Sequence, residues 1–572
     1  MLTFELKATA LRAKRYVADA RARVRRWPTS GNGSGTLLAE IVTPLRSTSG
    51  PRDPGETRLV AGKIENLRIA LRRLDGVVVA AGGTFSFWAQ IGRATRRKGY
   101  VEGRELREGC IIPTLGGGLC QLSNALYAAA LDAGCEILER HAHSQVVPGS
   151  AAARDRDATV FWNYVDLRFR SEHALTIRAR LEANELILRF MGTHTTSPRE
   201  PARTVYETVH FVTRPSCFGC AETACSRHRG AEHATLAPRT AFLLDAYWPE
   251  HDAFVRDRTA TDDVVCLPLD GTLFRLPQYA WATSGFARVR QAPLETLARA
   301  LRSRRLATHG AARQRALLYD AEHLACRFAA QLTPDIEHVV VMQNLLPYLW
   351  RSGHLGGRTF DVLMCTMPMH ALHAVLDDAA RRHPESSTLS DFRAPRELVD
   401  AEEEALARAR LIVTPHHDIA RRFGERALVL PWAVPPAIAQ QRRMSEAILF
   451  AGGTLGRSGA YEMREAARRL GVGIVLVGNH DAEGADFWRG LDVTRATSFS
   501  DGLRLARAVA LPAFVEHRPR LLLHALAAGA AVVASTACGL APQDGLTVVT
   551  PGDVDGLCGA LSRAIIAPLT AH

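Results

Sequence analysis

Regular patterning of the chain begins near residue 60. In "LVAGKIENLRIALRRL", Ile64, Leu67, Leu71 and Leu74 recur at helical spacing, and "GVVVAAGGTFSFW" follows as strand and turn. A second helix is predicted in "CQLSNALYAAALDAG", where Leu119, Leu122, Leu126 and Ala129 share one face and Gly134 is the stop. "EILERHAHS" then reads as extended. Beyond it, "ATVFWNYVDLRFRS", "ALTIRARLEA" and "NELILRFMG" alternate apolar and polar positions in the manner of half-buried strands. Together these elements predict an α+β domain over residues 59–198.

A different pattern fills the second half. Apolar runs such as "RTAFLLDAYW", "HVVVMQNL", "FDVLMCTM", "ARLIVTP", "ALVLPW", "AILFAGG", "VGIVLVG", "AVALPAFV" and "GAAVVAS" are separated by helical segments. Buried strands alternating with helices are the mark of a parallel sheet covered on both faces. There are enough strands for two doubly wound sheets, and the proline-containing "VLPWAVPPAIAQQRRMSEA" is the natural hinge between residues 236–436 and 437–572. The polar stretches "PTSGNGSGTLL" and "STSGPRDPGETR" make residues 1–58 an arm and linker, and residues 199–235 form a short cysteine-containing insert. The expected fold class is multidomain: an α+β domain followed by a pair of α/β domains.

At 572 residues the chain exceeds one core, and 47% hydrophobic with 23% charged residues is ordinary for a soluble globular protein. No run approaches eighteen apolar residues, and the first thirty lack an apolar core with a small-residue cleavage site. The expected location is therefore cytoplasmic. Residues 1–28 carry half of the net charge of +12, with apolar residues interspersed. They read either as a solvated basic arm or as a peripheral contact with the anionic inner face of a membrane. Nucleic acid is disfavoured as a partner, because no aromatic-interleaved basic patch or recognition motif occurs. Lysine is confined to Lys7, Lys14, Lys63 and Lys98, so any later phosphate-binding cation must be arginine. Eleven cysteines, an odd number without an export signal, point to reduced thiols.

Two groups of residues have the composition for chemistry. Gly116, Gly117 and Gly118 permit positive φ angles and close backbone approach, and they place Cys120 in the first turn of the second predicted helix. The positive end of a helix dipole favours a thiolate there. If "EILERHAHS" is extended, His141 and His143 lie on one face. Cys120 with either histidine and an orienting acid, Asp157 or Asp166, would be a nucleophile–base arrangement. The same residues also suit a buried helix start, or zinc bound by Cys120 and the two histidines. The second group is "CFGCAETACSRH", with Cys217, Cys220, Cys225 and His228 at C-x2-C-x4-C-x2-H spacing. This set matches the tetrahedral demand of a structural zinc; an iron–sulfur cluster and free thiols are the alternatives.

The segments "GGTFSFWAQIGRATRRKGY", "GGGLCQLSNALYAAALDAG", "ERHAHS", "RDATV" and "DLRFR" together resemble the VanW family. The likeness covers about residues 60–195 and implies that Cys120, Gln121, His141, His143 and Asp157 belong to its characteristic set. Family members occur in bacteria, some beside glycopeptide-resistance genes, and many are associated with the cell envelope. A Cys120-dependent acyl or peptidyl transfer on cell-wall material is one chemistry this domain could carry.

Residues 236–572 resemble a GT-B glycosyltransferase, particularly the retaining type with two Rossmann-like domains. The resemblance rests on "LVDAEEEALARARLIVTPHHDIARRFGERALVLPWAVP", "AILFAGGTLGRSGAYEMREAARRLGVGIVLVG" and "AFVEHRPRLLLHALAAGAAVVASTACGL". It implies a nucleotide sugar as donor, a glycan or envelope acceptor, and a cleft between the domains. Gly452, Gly453 and Arg457 would face the diphosphate, and Glu516 would be the first acid of the donor-binding motif. The second acid of that motif falls on His524, which offers one acceptor where a carboxylate offers several. The basic residue usually preceding the second glycine of the loop falls on Ser458, leaving Arg457 as the nearby cation. A non-catalytic scaffold with a degenerate GT-B fold is the alternative. Glu402, Glu403 and Glu404 read as surface charge at a helix start, and His416 or His417 as an acceptor contact after a strand.

Overall fold

The computed structural model describes residues 2–21, 24–29, 35–46, 54–107, 110–143, 156–192, 203–205, 239–306, 310–390, 393–436, 446–479 and 481–566. The chain forms two compact units. The first is Met1–Arg239 with Leu332–His338 and Ser352–Thr359; the second is Thr240–Gln331, Val339–Arg351 and Phe360–His572. Two short segments from the second half of the sequence thus belong to the first unit.

The first unit contains α1 (Leu2–Arg21), β1 (Thr36–Pro44), α2 (Pro54–Leu71), β2 (Val77–Val79), β3 (Thr84–Ser86) and α3 (Phe87–Ile91). It continues with β4 (Glu102–Arg107), β5 (Cys110–Leu115), α4 (Leu119–Asp132), β6 (Glu136–Glu139) and β7 (Arg168–Arg170). β8 (Leu175–Glu182), β9 (Glu185–Gly192) and β10 (Arg203–Val205) complete it. Its main sheet has the order β10-β1-β9-β8-β2 and is antiparallel except where β10 joins β1. Strand β8 shows strict alternation of buried and half-buried positions, as its sequence requires. The inward faces of α2 and α4, with Ile64, Leu67, Leu122 and Leu126, share one core with Ile177, Leu188 and Phe190 of the sheet. Helix α2 starts before the predicted run, and Leu74 is buried in the turn that follows it.

The remaining strands form two parallel sheets, which fall in the second unit apart from the first residues of β11, β14 and β15. The first is built from β11 (Arg239–Leu243), β12 (Val264–Leu267), β13 (Arg288–Gln291), β14 (Ile336–Met342), β15 (Thr359–Leu363), β16 (Leu411–Thr414) and β17 (Ala427–Val429). Its order, β13-β12-β11-β14-β15-β16-β17, reverses direction between β11 and β14. The accompanying helices are α5 (Pro249–Arg258), α6 (Pro293–Arg304), α7 (Ala311–Ala329), α8 (Leu346–Arg351), α9 (Met369–Arg382), α10 (Arg396–Arg408) and α11 (His417–Arg421). The second sheet uses β18 (Ile448–Phe450), β19 (Ile474–Val477), β20 (Val493–Ala496), β21 (Ala508–Leu511), β22 (Ala531–Ser535) and β23 (Leu546–Val549). Its helices are α12 (Ala460–Leu470), α13 (Phe499–Leu505), α14 (Arg520–Ala527) and α15 (Val554–Ile566). The order β20-β19-β18-β21-β22-β23 is that of a dinucleotide-binding sheet, with its reversal between β18 and β21.

One expectation is corrected here. Glu402 is not surface charge at a helix start, because α10 begins at Arg396 and carries Glu402 on its inner face beside Ala401 and Ala405. Its carboxylate accepts hydrogen bonds from Gln343 Nε2 (2.9 Å) and the Met369 N–H (2.5 Å), and burial pushes its pKa up to about 7.

Candidate active sites

In the first unit the site begins with three glycines. Gly116 and Gly118 adopt φ of +80° and +99°, and a Cβ on Gly117 would run into the carbonyl of Gly103. Buried Asn66 of α2 pins this loop by donating to the carbonyls of Gly117 and Val101, 3.0 Å each, while accepting from the Val101 N–H. The loop delivers the chain into α4 with Gly118 as N-cap, so Cys120 lies in its first turn, half-buried.

The same face of α4 binds an irregular segment, residues 156–160. Ser123 donates to the Ala158 carbonyl, and Asn124 Oδ1 accepts from the Ala158 N–H at 2.8 Å. Arg156 reaches the carbonyl of Ala128 and the carboxylate of Asp132. These bonds fix Asp157 at one end and bring Thr159 Oγ1 to 3.6 Å from Cys120 Sγ.

Asp157 is buried and takes two hydrogen bonds from one residue. The His143 N–H donates to Oδ2 at 2.5 Å and the ring Nδ1–H to Oδ1 at 2.6 Å. The hydrogen bond to Asp157 and a second one shared with Cys120 raise the His143 pKa to about 10. Burial pushes Asp157 up, but the His143 ring, the His143 N–H and Arg140 hold it below its ordinary value. Cys120, His143 and Asp157 therefore form one connected array, in which the carboxylate fixes the imidazole through Nδ1 and leaves Nε2 as the remaining ring nitrogen.

His141 is not part of that array. Its Nε2 pairs with Glu139 at 3.2 Å, its carbonyl accepts from Thr159, and its side chain is exposed. Asp166 is likewise elsewhere: buried, it accepts from Ser86 Oγ (2.6 Å), the Trp88 N–H and Arg168. Gln121 donates to Thr43 Oγ1 and the Pro44 carbonyl, which ties α4 to β1. No group of three or more His, Cys, Asp or Glu is placed to hold a metal among the described residues. Cys217, Cys220, Cys225 and His228 lie outside the described residues.

The basic arm is seen as α1, laid against the first unit. Arg12 donates to the Trp162 carbonyl, Arg15 to Glu139 and to the Tyr164 carbonyl, and Asp19 accepts from Arg168. Leu11, Tyr16 and Val17 of this helix are exposed. No helix among the described residues is long and apolar enough to cross a membrane.

In the second unit the loops that follow β18 and β21 flank the reversal point of the second sheet, where such sheets bind ligands. The first loop carries Gly452, Gly453 and Arg457; the second carries Glu516. Gly452 packs so closely on Phe450 and Ser458 that a Cβ has no room, whereas a Cβ on Gly453 would meet nothing within 4 Å. The carbonyl of Arg457 accepts from the N–H groups of Phe514 (2.9 Å) and Val515 (3.2 Å), which ties the two loops together. Burial raises the Glu516 pKa, opposed by the Arg518 N–H (2.6 Å) and by the nearby Arg457 guanidinium. His517, held down to about 3 by burial and then by His416, Arg457 and Arg518, accepts from the Met367 N–H at 3.2 Å.

Residues of the first sheet's lobe reach the same place. His416 caps α11, and its Nε2 lies 2.9 Å from the Glu516 carbonyl and 3.1 Å from that of Ala537. It is buried, so its role here is to join lobes; His417 opens α11. His524 sits on α14 against Phe499, ring centroids 5.8 Å apart, with Nε2 buried and without a hydrogen-bond partner among the described residues. The sequence reading did not single out His517 or Asn66, though adjacency to Glu516 was a usable signal for the first.

Residues 62–191 match the family model described as VanW like protein. The uncharacterized protein YoaR of Bacillus subtilis is 34% identical over 125 residues, 22% of this chain and 41% of that protein. The vancomycin B-type resistance protein VanW of Enterococcus faecalis is 33% identical over 115 residues, 19% of this chain and 41% of that protein. The chain thus spans about two fifths of the length of the curated relatives it matches. Among solved structures, the galactosyltransferase WaaB of the lipopolysaccharide outer core (14% identity, TM-score 0.33) aligns over 57% of this chain and 90% of its own. The sucrose-phosphate synthase of Thermosynechococcus elongatus (14%, TM-score 0.37) aligns over 57% and 89%. The sheet orders, rather than these remote likenesses, define the fold of the second unit. Residues 62–191 form a VanW-type domain, and the chain beyond it carries two Rossmann-like domains in tandem, the plan of GT-B proteins.

Proposed function

We propose that the tandem Rossmann-like pair binds a nucleotide sugar and transfers its sugar, with retention, to a glycan or envelope acceptor. The observation that carries this reading is the meeting of Arg457 and Glu516 at the reversal point of the second sheet. As the bond from the anomeric carbon to the diphosphate breaks, the acceptor hydroxyl oxygen bonds to that carbon and passes its proton to the departing phosphate oxygen, while negative charge grows on the leaving diphosphate. An arginine can clamp that charge through paired N–H groups, as a lysine cannot. Glu516 offers an acceptor for a ribose hydroxyl, and His524 narrows what the rest of the donor can be. In this reading the protein works at the cytoplasmic face of a bacterial membrane. A thermal-shift screen of UDP, GDP and ADP sugars tests it. A donor at a hundred times its Kd should stabilise the chain by about 2.7 kcal/mol, and Arg457→Ala or Glu516→Ala should abolish the shift. Failure of every donor to bind ends this assignment.

A second reading concerns the VanW-type domain and is favoured by the Cys120–His143–Asp157 array. There Cys120, as thiolate, attacks an acyl or peptide carbonyl of cell-wall material. The thioester forms as the carbon–nitrogen bond breaks, and the departing amine takes its proton from His143; water or a second amine then accepts the acyl group. Iodoacetamide should label Cys120 ahead of the exposed Cys326, whose pKa is raised by burial and by Glu322. His143→Ala should remove that advantage, and a Cys120 slower to react than Cys326 would refute the reading.

A further inference from the structure

Helix α6 buries none of its residues, although three of them are leucines. Leu294, Leu297 and Leu301 follow one another at i, i+3 and i+7, so they share one stripe, and that stripe faces outward; Leu294 is 77% exposed. The helix is not free to roll them inward. Its other face is tied down by Arg299, which donates to buried Asp245 at 2.6 Å, and by Thr296, whose hydroxyl donates to the Pro268 carbonyl at 2.8 Å.

The loop after β12 extends the same surface. It is stitched to the start of α6 through Pro268 and through the Asp270 N–H, which donates to Gln291 Oε1 at 3.1 Å. Its tip presents Leu273, 71% exposed, and Phe274. Five large apolar side chains thus face solvent on one side of this lobe, a concentration that calls for a partner. Five exposed arginines flank these residues along the chain: Arg275 follows Phe274, Arg288 and Arg290 lie on β13 just before α6, and Arg304 and Arg305 stand at its end. The acid within the helix, Glu295, is half-buried and faces Arg327 at 3.9 Å.

We propose that this face of the first Rossmann-like lobe docks onto an anionic lipid bilayer. Exposed apolar side chains with exposed arginines beside them in the chain match acyl chains beneath headgroup phosphates, which gain from both burial and charge. A second copy of the chain fits the same face poorly, since a two-fold pairing of α6 would bring Arg304 and Arg305 of both copies into one interface without an acid of the stripe to meet them. The surface is separate from α1, and docking needs no nucleotide sugar, so it stands or falls apart from glycosyl transfer.

Co-sedimentation of the full chain with phosphatidylcholine vesicles containing about one-third phosphatidylglycerol tests the proposal. The chain should pellet with these vesicles, less so as salt is raised, and not with phosphatidylcholine alone. The triple variant L294S/L297S/L301S should lose about tenfold or more in partitioning, and R304E/R305E should lose a similar factor. Both alter exposed positions, so circular dichroism and the unfolding midpoint should stay at wild-type values. The variant L11S/Y16S/V17S in α1 should still bind. The proposal is overturned if the chain ignores anionic vesicles or if the α6 triple variant binds undiminished. Loss of binding in the α1 variant alone would also overturn it, as would a dimer in sedimentation equilibrium that the α6 variant dissolves.

Discussion

An imidazole that donates to a buried carboxylate resists losing its proton. With a folded pKa of about 10 against an ordinary 6.5, His143 contributes stability that is complete below about pH 6.5. That contribution is lost as pH rises through about 10. Asp157 is the first cause of the shift, so Asp157→Asn should return the His143 titration toward its ordinary range, read by NMR of the ring protons. The stability of the variant should then vary less between pH 7 and 10 than that of the wild type. An unmoved midpoint would show that Asp157 does not hold the imidazole. From the residues alone the sequence placed a cysteine, two histidines and two candidate acids, Asp157 and Asp166, within reach, but could not choose between the histidines or between the acids. The period-two rule that puts His141 and His143 on one face applies only inside a strand, and β6 ends at Glu139. From there the chain turns irregular, and the two rings part company.

At the scale of elements, apolar runs were readable for most strands covered on both faces. Each of the nine quoted runs of the second half contains a strand of the two parallel sheets. What escaped were β1, which pairs on both sides inside the stretch read as arm and linker, the fully buried β12, and strands at or near the sheet margins, such as β13 with "RVRQ" and β20 with "VTRA". An edge strand is held through its backbone on one side and needs no apolar signature. The run "ATVFWNYVDLRFRS" misled in the other direction, because only Arg168–Arg170 pairs as a strand. Its start is held sideways along α4 by Ser123 and Asn124, a bond pattern that periodicity does not encode. The glycine loop before α4 was readable, and the packing explains why each glycine is needed. Gly117→Ala would set a methyl group against the backbone of Gly103, which has no side chain to move aside. The expected loss is roughly 1–3 kcal/mol in thermal or denaturant unfolding. A variant as stable as the wild type would mean that β4 yields at no cost.

At the largest scale, the proposed transferase depends on how the two lobes of the second unit are held to each other. Glu250, in the first turn of α5, accepts from the Ala433 N–H at 3.1 Å and from Arg520 of the other lobe at 3.0 Å, while Arg518 lies over the Trp248 ring. A denser junction surrounds Glu483, between β19 and β20. Its carboxylate accepts from Ser386 Oγ, the Ser387 N–H and Thr388 Oγ1 of the first lobe. It also accepts from the Gly456 N–H (2.8 Å) and Tyr461 hydroxyl (3.0 Å) of the second. Gly456 directly precedes Arg457, so one carboxylate both bridges the lobes and fixes the loop proposed to meet the diphosphate. Glu483→Ala leaves these donors without their acceptor, and the penalty for stranding them is about 1–3 kcal/mol. Thermal unfolding should register that loss. Donor affinity should fall even though Glu483 itself would not touch the sugar, because the loop and the lobe spacing relax together. Small-angle scattering gives the independent reading: the variant should show a larger radius of gyration than the wild type without donor. If both proteins scatter alike and melt alike, the lobes are held by the other contacts between them, those of Glu250, His416 and His517 included, and the carboxylate at 483 is only a local loop contact.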